Sequence, residues 1–554
     1  MTRTLTPHPL GGSIAAIASK SQAHRYLICA ALADGISRIR CDERSADIDA
    51  TVRCLNALGA SISYENNHFT VQPIQKAEFG ILDCGESGST LRFLIPVVAA
   101  LGCGADFVLH GRLAERPLSP LQELLETRGI VFTRPQKDIL HIEGKLSGGR
   151  FEIAGNVSSQ FISGLLFALP LLDGRSDIML TSPLESAPYV DLTLAAMRRF
   201  GVEIHGLSNF ASGSYHACDV TVEGDWSNAA FWLCAGAIST PIRLTGIDLH
   251  SAQGDRKIVE VLERFGAGVE KHAFSISVFP QPMRGIDLDA SDIPDLVPPI
   301  ALLAACAEGT TRIYGAKRLK IKESDRLQSV SAALNALGGK VTVTDDGLII
   351  EGTGLKGGTV DSQNDHRIAM LAAIASSVCE TPVTLHGSDA VKKSYPRFWE
   401  DFEKMQKCEP IPMTPKTLEY IHVEDITPYE REFLGRVRAR PALYLGDCAL
   451  KSLDNLISGY CFAMWALGVE KQHNMWLQRI DEFTANHFET SLEYYNAVGM
   501  ILQNYPDDGT ALKAFFEILD AYLLSLGYAP IPPNHTSDSL TPIQNNQTSS
   551  NEHS

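Results

Sequence analysis

The chain has 554 residues, too many for one hydrophobic core, so it is expected to divide into two or three domains. A hydrophobic content of 45% and a mean hydropathy of -0.01 are those of an ordinary soluble protein, and no apolar run is long and uncharged enough to cross a bilayer. A net charge of -17 argues against a general nucleic-acid binder and requires that any anion pocket be locally basic. The twelve cysteines are scattered singly, with no C-x-x-C pair, which argues for reduced thiols in the cytoplasm and against a zinc site. Met1–Gly12 lacks the apolar core of a signal peptide.

Taken in chain order, an apolar helix opened by polar residues recurs six times. The openings are Lys20-Ser21, Gly88-Ser89, Ser158-Ser159-Gln160, Asp225-Trp226-Ser227, Pro294-Asp295 and Asp365-His366-Arg367. Counted from Ser21, Ser89, Ser159, Ser227, Asp295 and Asp365, the spacing is 68 to 70 residues. A fixed period of this kind marks a duplicated supersecondary unit. Each apolar helix leads to a strand, then to an amphipathic helix that ends at Gly59, Gly129, Gly201, Gly266 or Gly338. The sixth amphipathic helix is expected over roughly Pro396 to Met405 without the glycine. A helix apolar on all sides must be buried, so three units per globule are expected, helices inside and sheets outside. Helix N-termini carry unpaired N–H groups and the positive end of the dipole, so several brought together would hold an anion such as phosphate.

The pattern stops at Cys408, and more than half of the acidic excess lies beyond it. Residues 408–416, with Pro410, Pro412 and Pro415, read as a linker. Leu450–Leu467, Trp476–His487, Ser491–Tyr505 and Ala511–Leu526 have helical spacing and predict an all-α accessory domain over 417–528. Tyr460, Phe462, Trp465 and Trp476 read as its core, and Arg436–Gly446 as a helix-ending turn. Residues 529–554, rich in Pro, Asn, Ser and Thr, read as a disordered tail. No catalytic constellation stands out there, and association with a protein partner or with itself is the expected role.

Basic residues of the repeated region gather at its helix openings and adjacent turns: Lys20, Arg25, Arg92, Arg116, Lys322, Arg326, Arg367 and Lys393. Arginine forks suit carboxylate and phosphate, and lysine supplies a point charge. Any one of them alone reads as a solvated surface cation. Asp295 alone reads as a helix N-cap, Glu323 as an ion-pair partner of Lys322 or Arg326, and His366 as a structural, helix-capping histidine.

Nine segments together resemble the 5-enolpyruvylshikimate-3-phosphate (EPSP) synthases. They are Lys20–Arg25, Gly85–Arg92, Glu115-Arg116-Pro117, Ser158-Ser159-Gln160, Ser186–Tyr189, Ile293-Pro294-Asp295, Lys322–Arg326, Asn364–Arg367 and Lys393–Pro396. They cover about residues 1–407, in order and at the family spacing. The resemblance implies an inside-out α/β fold of two globules built from six βαβαββ-type units. Globule I would take 1–14 and 223–407, globule II 15–222, with hinge strands near Ile14–Ala16 and Thr221–Asp225. The implied reaction moves the enolpyruvyl group of phosphoenolpyruvate to the 5-hydroxyl of shikimate 3-phosphate and releases phosphate.

The resemblance also implies roles. Lys20 would touch both substrates. Ser21, Arg25, Ser158, Ser159, Gln160, Ser186, Tyr189, Asp295 and Lys322 would contact shikimate 3-phosphate. Gly88, Arg116, Gln160, Arg326, Arg367 and Lys393 would hold phosphoenolpyruvate. Asp295 would take the hydroxyl proton and Glu323 would protonate the methylene, with Lys20 and Lys393 joining the shuttle. His366 would orient Glu323 or Lys393. No cofactor, metal, nucleotide, nucleic acid or membrane is expected, and closure of the globules on the substrates would complete the site. Three positions depart from the family pattern: Glu86 stands for a common Asn, Phe93 for Pro, and Arg318 for an Asn that can contact shikimate 3-phosphate. A UDP-N-acetylglucosamine enolpyruvyl transferase would carry Lys-Asn at the first helix and a loop cysteine; this chain has Lys20-Ser21, and Gly111–Pro120 lacks cysteine. An inactive binding scaffold is the rival from another class, and retention of Lys20, Asp295, Glu323 and Lys393 together argues against it.

Overall fold

A computed structural model describes residues 1–407 except 203–205, 208–212 and 273–274. Beyond that it describes 428–439, short stretches between 442 and 488, 497–505 and 507–525. The first half of the repeated region contains α1 (Lys20–Ala31), α2 (Ala46–Ala57), α3 (Gly88–Leu101), α4 (Leu121–Glu126), α5 (Ser159–Ala168) and α6 (Ala187–Arg199). The second half contains α7 (Trp226–Ile238), α8 (Ile258–Phe265), α9 (Val297–Cys306), α10 (Arg326–Ala336), α11 (His366–Ala375) and α12 (Phe398–Lys407). The odd-numbered helices are the apolar ones, and they are buried nearly all round, as in Val297–Ala305 of α9. The even-numbered helices bury one face only: α8 buries Ile258, Val259, Val261, Leu262 and Phe265 and leaves its charged side to water. Helix α12 starts two residues later than the sequence suggests, because Pro396 and Arg397 lie in the turn that leads into it.

The strands repeat one pattern. In four sheets a parallel edge strand pairs with a central strand, which then leads into two antiparallel strands. One such sheet runs Val220–Thr221, Ser37–Arg40, His68–Gln72, Ser61–Glu65; another runs Asp287–Asp289, Thr310–Tyr314, Leu348–Glu351, Lys340–Val343. Arg150–Ile153 and Asp177–Leu180 pair in parallel, and Gly358–Asp361 pairs with Val383–His386, whose other edge takes Thr2–Leu5. Strand residues alternate buried and half-buried, as along Ile242–Thr245, so each sheet covers the helices with one apolar face. The inside-out α/β class expected from the sequence is the one observed.

Two hydrophobic cores result. One gathers Ala18–Val222; the other gathers Leu5–Ile17 with Trp226–Met405. The chain passes between them twice, and the passages touch where Ala18 bridges Gly224, with Asp225 N–H donating to Ile17 O and Ser19 N–H to Glu223 O, both at 2.7 Å. Gly12–Ala15 belongs to the sheet of Ile242–Thr245, so the first crossing falls at 17–19, a few residues later than Ile14–Ala16. Within the first core α3 and α5 cross at Gly164, where a methyl group would overlap the Arg92 carbonyl oxygen. That close approach brings two helix N-termini, and with them Ser89, Arg92 and Gln160, side by side.

Pro415–Ser554 forms a separate unit. Its described helices are Pro428–Ala439, Ala497–Asn504 and Asp508–Ser525, packed through Leu434, Val437, Ile501, Phe515 and Leu519. Arg438 Nη1 lies 2.6 Å from Asp520 Oδ2 and pairs the first helix with the last. Pro428–Ala439 is a helix that the sequence spacing does not predict, and it ends inside the Arg436–Gly446 segment. Residues 408–416, Tyr460, Phe462, Trp465, Trp476 and 529–554 lie outside the described residues, as does most of Leu450–Leu467 and Trp476–His487.

Candidate active site

All six helix openings line one cleft between the two cores, enclosing about 1130 Å³ with its solvent. Lys20 and Ser21 come from α1, Gly88 and Ser89 from α3, and Ser158, Ser159 and Gln160 from α5. Ser227 of α7, Asp295 before α9, and His366 and Arg367 of α11 face them. Five of the six openings carry a side-chain cap: Ser19, Ser87, Ser158, Asp225 and Asp365 each accept a backbone N–H of the first turn. The sixth does not. Asp295 sits in a 3-10 turn, Pro294–Leu296, and its carboxylate caps no helix. The N-cap reading of Asp295 is therefore overturned: the carboxylate is turned toward cations in the cleft.

Those cations form one wall. Arg326, 2% exposed, places Nη1 2.8 Å from Asp295 Oδ1, Nη2 2.6 Å from Glu323 Oε2 and Nε 2.8 Å from Asp365 Oδ2. Arg367 adds a contact to Asp295 Oδ2 at 3.2 Å, and Lys322 Nζ one to Oδ1 at 3.5 Å. Burial pushes the Asp295 carboxyl up, but Arg367, Lys322 and Arg326 outweigh it and hold it well below the usual carboxylate range. Burial acts the same way on Glu323, and Arg326 and Arg116 overcome it in turn. Both carboxylates are ionised at neutral pH. Lys322 goes the other way: burial lowers its ammonium, only partly offset by Asp295.

The opposite wall is built differently. Arg25 donates to Thr193 Oγ1 (2.8 Å), Ser21 O (2.6 Å) and Tyr189 O (2.9 Å), all neutral. Arg92 donates to Gln160 Oε1 at 2.7 Å, and Gln160 donates in turn to Ser89 Oγ at 3.0 Å. Arg116 lies beside Gly88 at 9% exposure, its Nε without a hydrogen-bond partner among the described residues. Buried guanidinium groups without carboxylates leave net positive charge in the wall, which an anion would neutralise. Lys20 is the exception, with Nζ 2.9 Å from Asp47 Oδ2; burial lowers its ammonium, but Asp47 and Glu323 more than restore it.

Of the residues expected from the sequence, Lys20, Ser21, Arg25, Gly88, Arg116, Ser158, Ser159, Gln160, Ser186, Tyr189, Asp295, Lys322, Glu323, Arg326 and Arg367 all line the cleft. Lys393 does not; its neighbour Ser394 does, while Lys393 Nζ lies 2.7 Å from both Glu86 Oε2 and Asn364 O. His366 lines the cleft at 2% exposure, but among the described residues neither ring nitrogen has a hydrogen-bond partner, to Glu323 or Lys393 or any other, and Asp365 performs the capping. Burial, reinforced by Lys20 and Arg367, keeps the ring neutral. Three further acids meet these residues: Asp47 and Asp255, which the sequence does not mark, and Asp225, which it marks only as a helix opening. Asp47 sits in the first turn of α2, where acids commonly complement the helix dipole, so nothing in its sequence marks it. Asp225 accepts the Lys20 N–H at 3.2 Å. Asp255 accepts the Tyr189 hydroxyl at 3.0 Å, and the same hydroxyl lies 3.2 Å from Asp295 Oδ2. Arg318 pairs with Glu185 at 2.6 Å across the cleft.

The family model for EPSP synthase (3-phosphoshikimate 1-carboxyvinyltransferase) matches residues 5–402. The 3-phosphoshikimate 1-carboxyvinyltransferase of Clostridium kluyveri is 44% identical over 414 residues, covering 73% of this chain and 96% of that protein. Its counterpart in Clostridium perfringens is 43% identical over 413 residues, covering 72% and 97%. Among solved structures, EPSP synthase from Acinetobacter baumannii superposes with a TM-score of 0.62 at 27% identity, over 73% of this chain and 98% of that one. The enolpyruvyl transferase NikO from Streptomyces tendae shares the fold, with a TM-score of 0.60 at 21% identity over 73% and 97%. A cleft ringed by six helix openings, one wall cationic and the other bearing paired carboxylates, thus lies inside the stretch matched by model, relatives and fold alike: the chain belongs to the EPSP synthase family.

Proposed function

We propose that this chain is a 3-phosphoshikimate 1-carboxyvinyltransferase. It transfers the enolpyruvyl group of phosphoenolpyruvate to the 5-hydroxyl of shikimate 3-phosphate and releases phosphate, in the pathway to chorismate and the aromatic amino acids. The observation that carries this reading is the pairing of Asp295 and Glu323 on one buried guanidinium, Arg326, opposite a wall of uncompensated arginines. Two carboxylates set close together give the acid and the base that an addition–elimination needs.

In this reading Arg25, Ser21, Ser158, Ser159, Ser186 and Tyr189 hold shikimate 3-phosphate, with Lys20, Gln160 and Lys322 reaching it from the sides. Arg116, Arg326, Arg367 and Lys393 hold phosphoenolpyruvate against Gly88. Glu323 enters the cycle ionised, so it must gain a proton first. The phosphoenolpyruvate carboxylate competes for Arg326 and Arg116, the cations that keep Glu323 ionised, and so raises its proton affinity. Protonated Glu323 then gives its proton to the methylene carbon, the 5-hydroxyl adds to the neighbouring carbon, and Asp295 takes the hydroxyl proton. In the second half Glu323 removes a proton from the new methyl group, the double bond returns, and phosphate leaves the tetrahedral intermediate carrying the proton that Asp295 took from the hydroxyl, so Asp295 is again ionised and Glu323 again protonated for the next turnover. Lys20 and Lys393 neutralise the anions formed on the way.

Phosphate release from phosphoenolpyruvate tests the proposal, with shikimate 3-phosphate and UDP-N-acetylglucosamine compared as acceptors. Release is expected only with shikimate 3-phosphate and should fall by about 10²-fold or more in Asp295→Ala and Glu323→Gln. Silence with both acceptors would favour a binding scaffold. Residues beyond 414 serve association, a role supported by their separate core and acidic balance. Truncation at 408 should change oligomeric state or partners and leave the acceptor preference intact. A cytoplasmic reaction is part of the same proposal, supported by the scattered cysteines.

A further inference from the structure

Glu86 is a carboxylate that the reaction does not use. It sits in the turn between Cys84 and the Ser87 cap of α3, against Gly111, where a methyl group would come within 2.9 Å of its carboxyl carbon. Its Oε2 lies 2.7 Å from Lys393 Nζ, and Asn364 Nδ2 lies 3.0 and 3.2 Å from its two oxygens. Lys393 and Asn364 come from the second core and Glu86 from the first stretch of chain, so the contact spans the cleft. Asn364 serves both partners: its amide donates to Glu86, and its carbonyl accepts from Lys393 at 2.7 Å. Gln363 and Asn364 hold φ values of 51° and 57° to make this possible. Two consecutive non-glycine residues in the left-handed region cost energy that the surrounding contacts must offset, so the arrangement is built rather than incidental.

The consequence concerns Lys393, which points at Glu86 and does not line the cleft. We propose that Glu86 is a specificity-determining residue: an internal carboxylate that occupies Lys393 across the cleft and must be displaced by the anionic end of phosphoenolpyruvate before the lysine serves the substrate. This rests on the reading of Lys393 as a phosphoenolpyruvate cation. An anion with only weak attraction to Lys393 fails to break the pair, so the exchange raises the threshold for occupying that end of the site. An asparagine at this position keeps a hydrogen-bond acceptor but removes the competing charge.

The test uses the full chain with 5-deoxyshikimate 3-phosphate, which lacks the accepting hydroxyl and so lets phosphoenolpyruvate bind without reacting. Dissociation constants for phosphoenolpyruvate are measured by calorimetry in wild type, Glu86→Gln, Lys393→Met and the double variant. Glu86→Gln is expected to tighten phosphoenolpyruvate by about threefold, the scale of a half-exposed ion pair, and to leave the affinity for 5-deoxyshikimate 3-phosphate unchanged. In the Lys393→Met background the same change should have no effect. Unchanged or weaker phosphoenolpyruvate binding in Glu86→Gln overturns the proposal, as does equal tightening with and without Lys393. A Lys393→Met variant that binds phosphoenolpyruvate as wild type does would instead overturn the reading of Lys393 itself.

Discussion

Both walls of the cleft carry buried arginines, and the two sets of arginines do opposite things. On the wall of Arg326 and Arg367 each cation is matched by carboxylates, and the pairs are buried and mutually hydrogen-bonded. On the wall of Arg25, Arg92 and Arg116 the guanidinium groups meet hydroxyls, amides and carbonyls. A compensated wall keeps titratable groups poised and rigid, which suits proton transfer. An uncompensated wall keeps electrostatic attraction unspent, which suits binding anions. Helix N-termini contribute to both walls, so side-chain composition makes the difference.

Removing one cation from each wall is the sharpest way to break this contrast. Arg326→Met strands Asp295, Glu323 and Asp365 in a buried site and should cost about 3–5 kcal/mol in denaturant unfolding, with activity lost. Arg116→Met should weaken phosphoenolpyruvate strongly yet cost far less stability, because Arg116 only assists Arg326 in holding Glu323 ionised, while Arg326 pairs directly with three buried carboxylates. Equal destabilisation by the two substitutions would erase the distinction.

The pH dependence of stability separates the acids within the first wall. Burial and the neighbouring Asp295 hold the Asp255 carboxyl up at about 6, above the ~3.9 of an unfolded aspartate. The folded protein therefore keeps a proton that the unfolded chain has lost, so this contribution is complete below about pH 4 and is lost as pH rises through about 6. Asp295 and Glu323, held low, contribute in the reverse sense: their stabilisation is present above about pH 4 and is lost on further acidification. Asp255→Asn should flatten the loss between about pH 4 and 6 and recover roughly 2 kcal/mol or less at neutral pH, read from unfolding midpoints. An unchanged slope would show that Asp255 is ionised throughout.

A smaller effect is expected at Gly88. A methyl group there would come within 2.5 Å of Arg116 Nη1, so Gly88→Ala should push the guanidinium aside. The expected result is a rise in the KM for phosphoenolpyruvate of about tenfold with little change in the KM for shikimate 3-phosphate, a loss on the scale of 1–2 kcal/mol. Equal rises for both substrates would mean that the methyl group disturbs the α3–α5 crossing instead.

The sequence made the scaffold legible because the scaffold is periodic. Six polar openings at a constant interval locate the buried helices, and glycines such as Gly201 and Gly266 mark where the amphipathic ones stop. The residues that ring the cleft were legible through the family resemblance, which carries whole motifs. What stayed hidden lacks a local signature. Asp47 and Asp255 look like ordinary acids in first turns, and only the fold brings them to Lys20 and Tyr189. Taken alone Asp295 reads as a cap, because spacing cannot distinguish an α-helical start from a 3-10 turn that frees the carboxylate; only the family motif points to its role as a base. Beyond residue 414 the repeat is gone and helices show only by apolar spacing, which the charge-rich Pro428–Ala439, with Glu430, Arg431, Glu432, Arg436 and Arg438, does not display.

The N-terminal strand has a consequence for synthesis. Thr2–Leu5 and Gly12–Ala15 are synthesised well before their partners, Val383–His386 and Ile242–Thr245. The stretch from Ala18 to Val222, by contrast, contains every residue of its own core and can close as soon as it has been made. Gly12–Ala15 must therefore wait, unpaired, outside a finished half of the molecule until Thr245 has been translated, and Thr2–Leu5 until His386, and that interval is when an exposed strand edge is most open to the wrong partner.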